Sequence, residues 1–188
     1  MRIVSGKHKG RPIKAPPTQA TRPTSDRARE SLFNIISHAA WAPPLTDARI
    51  IDLFAGSGAL GLEALSRGAA FCVFVETAAA ARSAIRENIA GLGLHDATQI
   101  HRRSAVALGT KPINLEAPFS MAFLDPPYHK NLVPPALTAL QAGGWLTPAA
   151  LIIAETSIEE ALEIPDWACL ATRDVGAAKF WFLQAETR

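Results

Sequence analysis

Apolar residues recur along this chain in two periods. Residues 49–53, 71–75, 98–102, 120–124, 151–155, 168–172 and 179–183 are short apolar runs bounded by polar or turn-forming residues, and they predict seven β-strands. Helical spacing predicts helices over 60–67, 78–90 and 132–140, with a shorter one near 105–108. Upstream, Thr24 or Ser25 caps a pattern of Ala28, Leu32, Ile35, Ile36 and Ala39, which predicts an amphipathic helix stopping before Pro43 and Pro44. Strands alternating with helices at this spacing imply a parallel sheet covered on both faces through right-handed crossovers. The last two strands have no helix between them, so they are expected to form an antiparallel pair. Residues 1–20 mix short β-prone pieces with glycine and proline and predict an irregular extension or a small hairpin.

The composition fits a folded α/β domain. Hydrophobic residues make up 48% of the 188 and charged residues 19%, which excludes disorder as the default. One domain over 1–188 is expected, with a basic N-terminal extension at 1–22. No apolar stretch reaches the ~18 to 20 residues of a membrane span, and the start has no apolar signal region, so a cytoplasmic protein is expected. Cys72 and Cys169 lack any paired spacing; both read as core thiols, and no metal site is expected.

Charge is unevenly placed. Residues 1–30 carry net +6 and the remainder net −4. A basic head on an acidic body favours an anionic partner such as nucleic acid, with Lys7, Lys9, Arg11, Arg22, Arg27 and Arg29 as candidate contacts to RNA backbone.

Two segments carry candidate chemistry. Gly56, Gly58 and Gly61 follow the apolar run 50–53 in a G-x-G-x-x-G pattern, and Glu76 ends the next strand. A glycine turn between strand and helix admits a nucleotide-like cofactor, and an acid after the second strand can accept both ribose hydroxyls. A nicotinamide dinucleotide and S-adenosylmethionine both suit that acid. Asp52 favours the second, because a carboxylate is awkward beside a pyrophosphate and useful near the cationic end of S-adenosylmethionine. Asp125, Pro126, Pro127 and Tyr128 then follow the apolar run 121–124. The prolines fix two φ angles and remove two donors, so the Asp125 carboxylate and the Pro126 carbonyl become acceptors on a rigid turn beside the Tyr128 ring. Such a turn suits the exocyclic amine of a nucleobase, with His129 read as an adjoining loop residue.

These motifs, with the start Ile3 to Arg11, the segment Arg22 to Asn34 and the stretch Asp52 to Ala69, closely resemble the RsmD family, bacterial methyltransferases of the N2 amine of a guanine in 16S ribosomal RNA. The resemblance spans nearly the whole chain. It implies a Rossmann-like class I methyltransferase fold, with a seven-stranded sheet ordered 3-2-1-4-5-7-6. It also implies S-adenosylmethionine as methyl donor and 16S ribosomal RNA, in a small-subunit assembly particle, as partner. No membrane and no obligate protein partner are expected. Asp52, Phe54, Gly56 and Gly58 correspond to the donor loop, Glu76 to the ribose acid, and Asp125, Pro126 and Tyr128 to the target-base motif.

The chain departs from the family in two places. Tyr128 stands where the family commonly has Phe, which keeps a stacking face and resembles adenine-N6 enzymes. At the end of the third strand Arg102, Arg103 and Ser104 replace the acid or amide that related enzymes place against the donor's adenine, leaving Ser104 as the candidate acceptor. The rival readings are an adenine-N6 methyltransferase on RNA or DNA, a nicotinamide-dependent oxidoreductase and a non-catalytic RNA-binding protein. The oxidoreductase lacks an evident Tyr-x-x-x-Lys or His pair, and the binding protein has little use for both Asp52 and Asp125.

Overall fold

The computed structural model describes residues 1–17 and 25–186, so Arg22 lies outside the described residues. The N-terminal extension is a small hairpin: Ile3 N–H donates to Arg11 O, Ile13 N–H donates to Met1 O, and Arg2 bridges Pro12. Ile3 and Ile13 are buried, which gives the hairpin an apolar inner side. Ser25 caps α1 (Asp26–His38) by accepting the Ala28 N–H at 3.1 Å, as its place before the apolar stripe predicts.

The sheet is built from β1 (Arg49–Leu53), β2 (Phe71–Val75), β3 (Thr98–His101), β4 (Phe119–Leu124), β5 (Leu146–Ser157), β6 (Trp167–Val175) and β7 (Ala178–Ala185). Its order is β3-β2-β1-β4-β5-β7-β6, the order that the family resemblance implies. The first five strands are parallel, and β7 pairs antiparallel with both β5 and β6. The crossovers carry α2 (Ala59–Ser66), α3 (Ala79–Leu92) and α4 (Val133–Ala142).

Side chains alternate across the sheet and divide the core in two. Ile50, Cys72, Phe74, Met121, Phe123 and Ile153 pack with residues of α1, α2 and α3. Ile51, Val73, Val75, Ala122, Leu124 and Ala154 pack with α4 on the other face. Because both faces are covered, the central strands read as near-continuous apolar runs, interrupted in β1 by Asp52. No helix among the described residues is long and apolar enough to cross a membrane.

Four expectations are corrected by the fold. Residues 105–108 form no helix: Ala107 N–H closes a turn on Ser104 O, and the Arg103 guanidinium donates to Leu108 O. β5 begins five residues before the predicted 151, because an irregularity between Phe119 and Met121 lets Phe119 pair with Leu146 ahead of the apolar run. The last two strands form the expected antiparallel pair but run longer than 168–172 and 179–183, meeting at a turn that holds Gly176 and Ala177. Cys72 is a core thiol, but Cys169 is exposed, since β6 is an edge strand with only one neighbour.

Candidate active site at the carboxyl ends of the strands

β1 runs into the glycine loop. Asp52, in the strand, is 1% exposed and accepts the Gly61 N–H at 3.0 Å, satisfying an amide in the first turn of α2 that has no partner within the helix. Burial pushes the Asp52 carboxyl up to about 8; the Gly61 hydrogen bond opposes that shift and the nearby Glu76 charge adds to it. Gly61 serves close packing, since a Cβ there would lie 2.5 Å from the Phe74 ring and 2.6 Å from Cys72 Sγ. Phe54 takes a left-handed φ of 58° as the chain leaves the strand, and Gly58 begins α2 with φ 78°.

Glu76 joins two loops. Its Oε2 accepts the Gly56 N–H at 2.9 Å and its Oε1 accepts the Ala78 N–H at 2.8 Å, while the residue stays half-exposed. A Cβ on Gly56 would stand in almost open space, with only Phe54 O at 3.8 Å. The glycine therefore keeps clear the space beside a carboxylate at the loop. Space, acid and turn together fit a ligand bearing ribose hydroxyls, because a carboxylate offers about four acceptor positions. At the end of β3, Ser104 is half-buried and enters the turn with Ala107.

The turn from Asp125 to Tyr128 lies one strand away. Leu53 pairs with Leu124 in parallel register, so the glycine loop and Asp125 leave the sheet side by side. Leu124 in turn pairs with Ala154, which sets Asp125 of the motif next to Glu155 of β5. Pro126 is buried, and Asp125 and Tyr128 are half-buried. The Tyr128 hydroxyl donates to Glu155 Oε1 at 2.5 Å, and Glu155 is 6% exposed. Glu160 anchors the following loop by accepting the N–H groups of His129 and Ser157, each at 2.8 Å. His129 is exposed with φ 60°, in keeping with its reading as a loop residue.

A cavity of about 530 Å³ opens beside this motif, between α1 and the β6–β7 hairpin; Arg27, Ser31, Tyr128, Glu155, Arg173 and Asp174 are among its lining residues. That volume lies within the range of small-molecule sites. Sequence reasoning missed Glu155 and Arg173. The signal for Glu155 is a lone acid ending the apolar run 151–154, but its alignment with Asp125 requires the strand register.

The basic head is divided three ways. Arg27 is exposed at the cavity. Arg29 is fully buried, and its Nη2 donates to Arg2 O at 2.6 Å and to Asp26 Oδ1 at 2.7 Å. The expectation that Arg29 meets RNA is thereby corrected: its charge fastens the N-terminal hairpin to α1. Lys7, Lys9 and Arg11 are exposed on the hairpin. Lys7 N–H donates to Ser66 O and Arg11 Nη2 donates to Gly91 O, so these residues sit at the last turns of α2 and α3, ends where cations complement the helix dipoles. For α2 that end lies ~12 Å along the helix from the glycine loop. The hairpin is held there by Glu63, fully buried, whose carboxylate accepts the N–H groups of Val4 and Ser5 and pairs with Arg67.

A family model described as "Conserved hypothetical protein 95" matches residues 1–184. Ribosomal RNA small subunit methyltransferase D of Escherichia coli K12 is 35% identical over 190 residues, covering 100% of this chain and 91% of that protein. The solved structure of Escherichia coli yhhF superposes with a TM-score of 0.80 at 32% identity, covering 100% of this chain and 99% of that one. An RNA methyltransferase from Salinibacter ruber, solved with S-adenosyl-L-homocysteine, shares the fold at 15% identity, with a TM-score of 0.61 over 89% of this chain and 96% of its own.

Proposed function

Because the chain belongs to the RsmD family, we propose that it methylates the N2 amine of a guanine in 16S ribosomal RNA, within a small-subunit assembly particle, using S-adenosylmethionine. The pairing of Leu53 with Leu124 carries this reading, since it sets the Glu76-braced glycine loop beside Asp125 at the carboxyl edge of the sheet. Open parallel sheets receive their ligands at that edge.

When bound, the donor supplies an electrophilic methyl group on a sulfonium. Glu76 would hold the ribose hydroxyls, the loop from Phe54 to Gly58 would give the backbone approach, and Ser104 would be the acceptor for the adenine. Asp52, whose buried carboxyl is raised to about 8, would be drawn toward its ionised form by the cationic end of the donor.

Guanine N2 is a poor nucleophile because its lone pair is conjugated with the ring. The Asp125 carboxylate and the Pro126 carbonyl each accept one amine hydrogen and turn the lone pair out of the ring plane. Tyr128 stacks on the flipped base, a contact worth ~1 to 3 kcal/mol. The amine proton becomes acidic only once nitrogen is alkylated, and then passes to Asp125 or to water. Arg27 at the cavity, with Lys7, Lys9 and Arg11 on the hairpin, supplies cationic contacts to RNA backbone.

The test is transfer of labelled methyl from S-adenosylmethionine into purified small-subunit particles, followed by nucleoside analysis. N2-methylguanosine is the expected product. N6-methyladenosine would move the target to adenine, and no transfer into either RNA or particle would remove the reading.

A further inference from the structure

We infer that Glu155 is the residue that selects guanine, by accepting the ring N1–H while Asp125 handles the neighbouring N2 amine. The inference rests on the guanine-N2 reading above and adds to it a residue outside the family motif. Its basis is the juxtaposition of two acids: Leu124 pairs with Ala154 in parallel strands ~4.8 Å apart, so Asp125, the first residue after β4, leaves the sheet beside Glu155 of β5. Glu155 is 6% exposed, lines the cavity together with Tyr128, and is fixed in orientation by the Tyr128 hydroxyl.

The chemistry of the base edges gives that pair its meaning. Guanine presents N1–H and the N2 amine side by side, two adjacent donor positions. An edge with two adjacent donors is matched by two adjacent acceptors. Adenine presents its amine beside the N1 lone pair, so a carboxylate at that position meets an acceptor and repels it. The tyrosine in place of phenylalanine thus acquires a role that does not imply an adenine target: its hydroxyl holds the selecting carboxylate in place.

The discriminating substrate is 2-aminopurine, which keeps the C2 amine of guanine but has a bare ring nitrogen at position 1. Single-turnover methylation is measured on particles assembled with 16S RNA carrying guanosine or 2-aminopurine at the target site, identified first with unmodified particles. The wild-type protein is expected to prefer guanosine by about tenfold or more, the range for a hydrogen bond to a charged group. Glu155→Gln is expected to slow guanosine and quicken 2-aminopurine, because its amide can donate to the bare nitrogen, so the preference collapses or inverts. Tyr128→Phe, which keeps the ring and removes the hydroxyl that holds Glu155, is expected to lose part of the preference.

Equal wild-type rates on the two bases overturn the inference, and that comparison needs no variant to fold. Equal proportional loss on both bases in a Glu155→Gln protein that still binds S-adenosylhomocysteine also overturns it, assigning the residue to structure alone. Absence of N2-methylguanosine from guanosine particles with the wild-type protein is a different failure, that of the guanine-N2 reading itself.

Discussion

Glu76 Oε2 accepts the amide hydrogen of Gly56 at 2.9 Å, so the acid that ends β2 braces the loop that ends β1. The same carboxylate also accepts the Ala78 N–H ahead of α3. Both partners are hydrogen-bond donors, so this position requires an acceptor-only side chain.

Glu76→Ala is expected to lower donor affinity by about 1.5 to 3 kcal/mol, the range for hydrogen bonds to a charged group. Glu76→Gln is expected to fall almost as far, because its NH2 would face the N–H of Gly56 or Ala78. Calorimetric titration with S-adenosylhomocysteine checks both, and wild-type affinity in a folded Glu76→Ala protein removes this acid from the pocket.

Asp52 is expected to make stability depend on pH. Its carboxyl is raised to about 8 in the folded chain, first by burial, against 3.8 for the ordinary group. Between those values the folded state holds a proton that the unfolded state has released, so the contribution is complete below about pH 4 and declines as pH rises through about 8. Urea midpoints at pH 5 and pH 8 are therefore expected to differ more in the wild-type protein than in Asp52→Asn. An identical pH difference in the two proteins rules out the linkage.

Asp125→Ala is expected to reduce methyl transfer far more than donor binding, because its carboxylate is proposed to orient the target amine and not the donor. Single-turnover rates measured beside donor affinity separate the two roles. Parallel loss of both would place Asp125 in the donor pocket or in the fold.

Lys7→Glu with Lys9→Glu tests the hairpin as an RNA-binding surface. Arg11 is left in place because its guanidinium already holds the Gly91 carbonyl. Particle or RNA association is expected to weaken, and its salt slope to flatten by roughly 0.7 to 0.9 for each phosphate that is no longer neutralised. Unchanged affinity and slope would leave the two lysines as a solvated face at the helix ends.

Much of this molecule is determined by local pattern. β1 and β2 lie at the residues where short apolar runs meet turn-forming neighbours, and Ser25 caps α1 because a hydroxyl ahead of a helical stripe meets the first orphan amides. The glycine loop, Glu76 and the Asp125 to Tyr128 turn are legible as chemistry, since each is a short stretch whose residue types restrict what the backbone can do. Arg29 departs from its expected role although a signal exists: it precedes Leu32, Phe33 and Ile36 at helical spacing, which puts it on the inner stripe, while Arg27 falls on the outer side.

Other features belong to the tertiary structure alone. Residues 105–108 look helical by composition, yet a four-residue piece has too few internal hydrogen bonds to hold a helix against the turn that Arg103 and Ala107 make. Cys169 is apolar in its neighbourhood but exposed, because strand order leaves β6 at the edge. The placement of Glu155 beside Asp125 depends on the register of two strands 30 residues apart, and a shift by one residue would turn the acid to the opposite face. Local sequence therefore set the glycine loop and the Asp125 to Tyr128 turn, while the packing of distant strands decided which acids stand together.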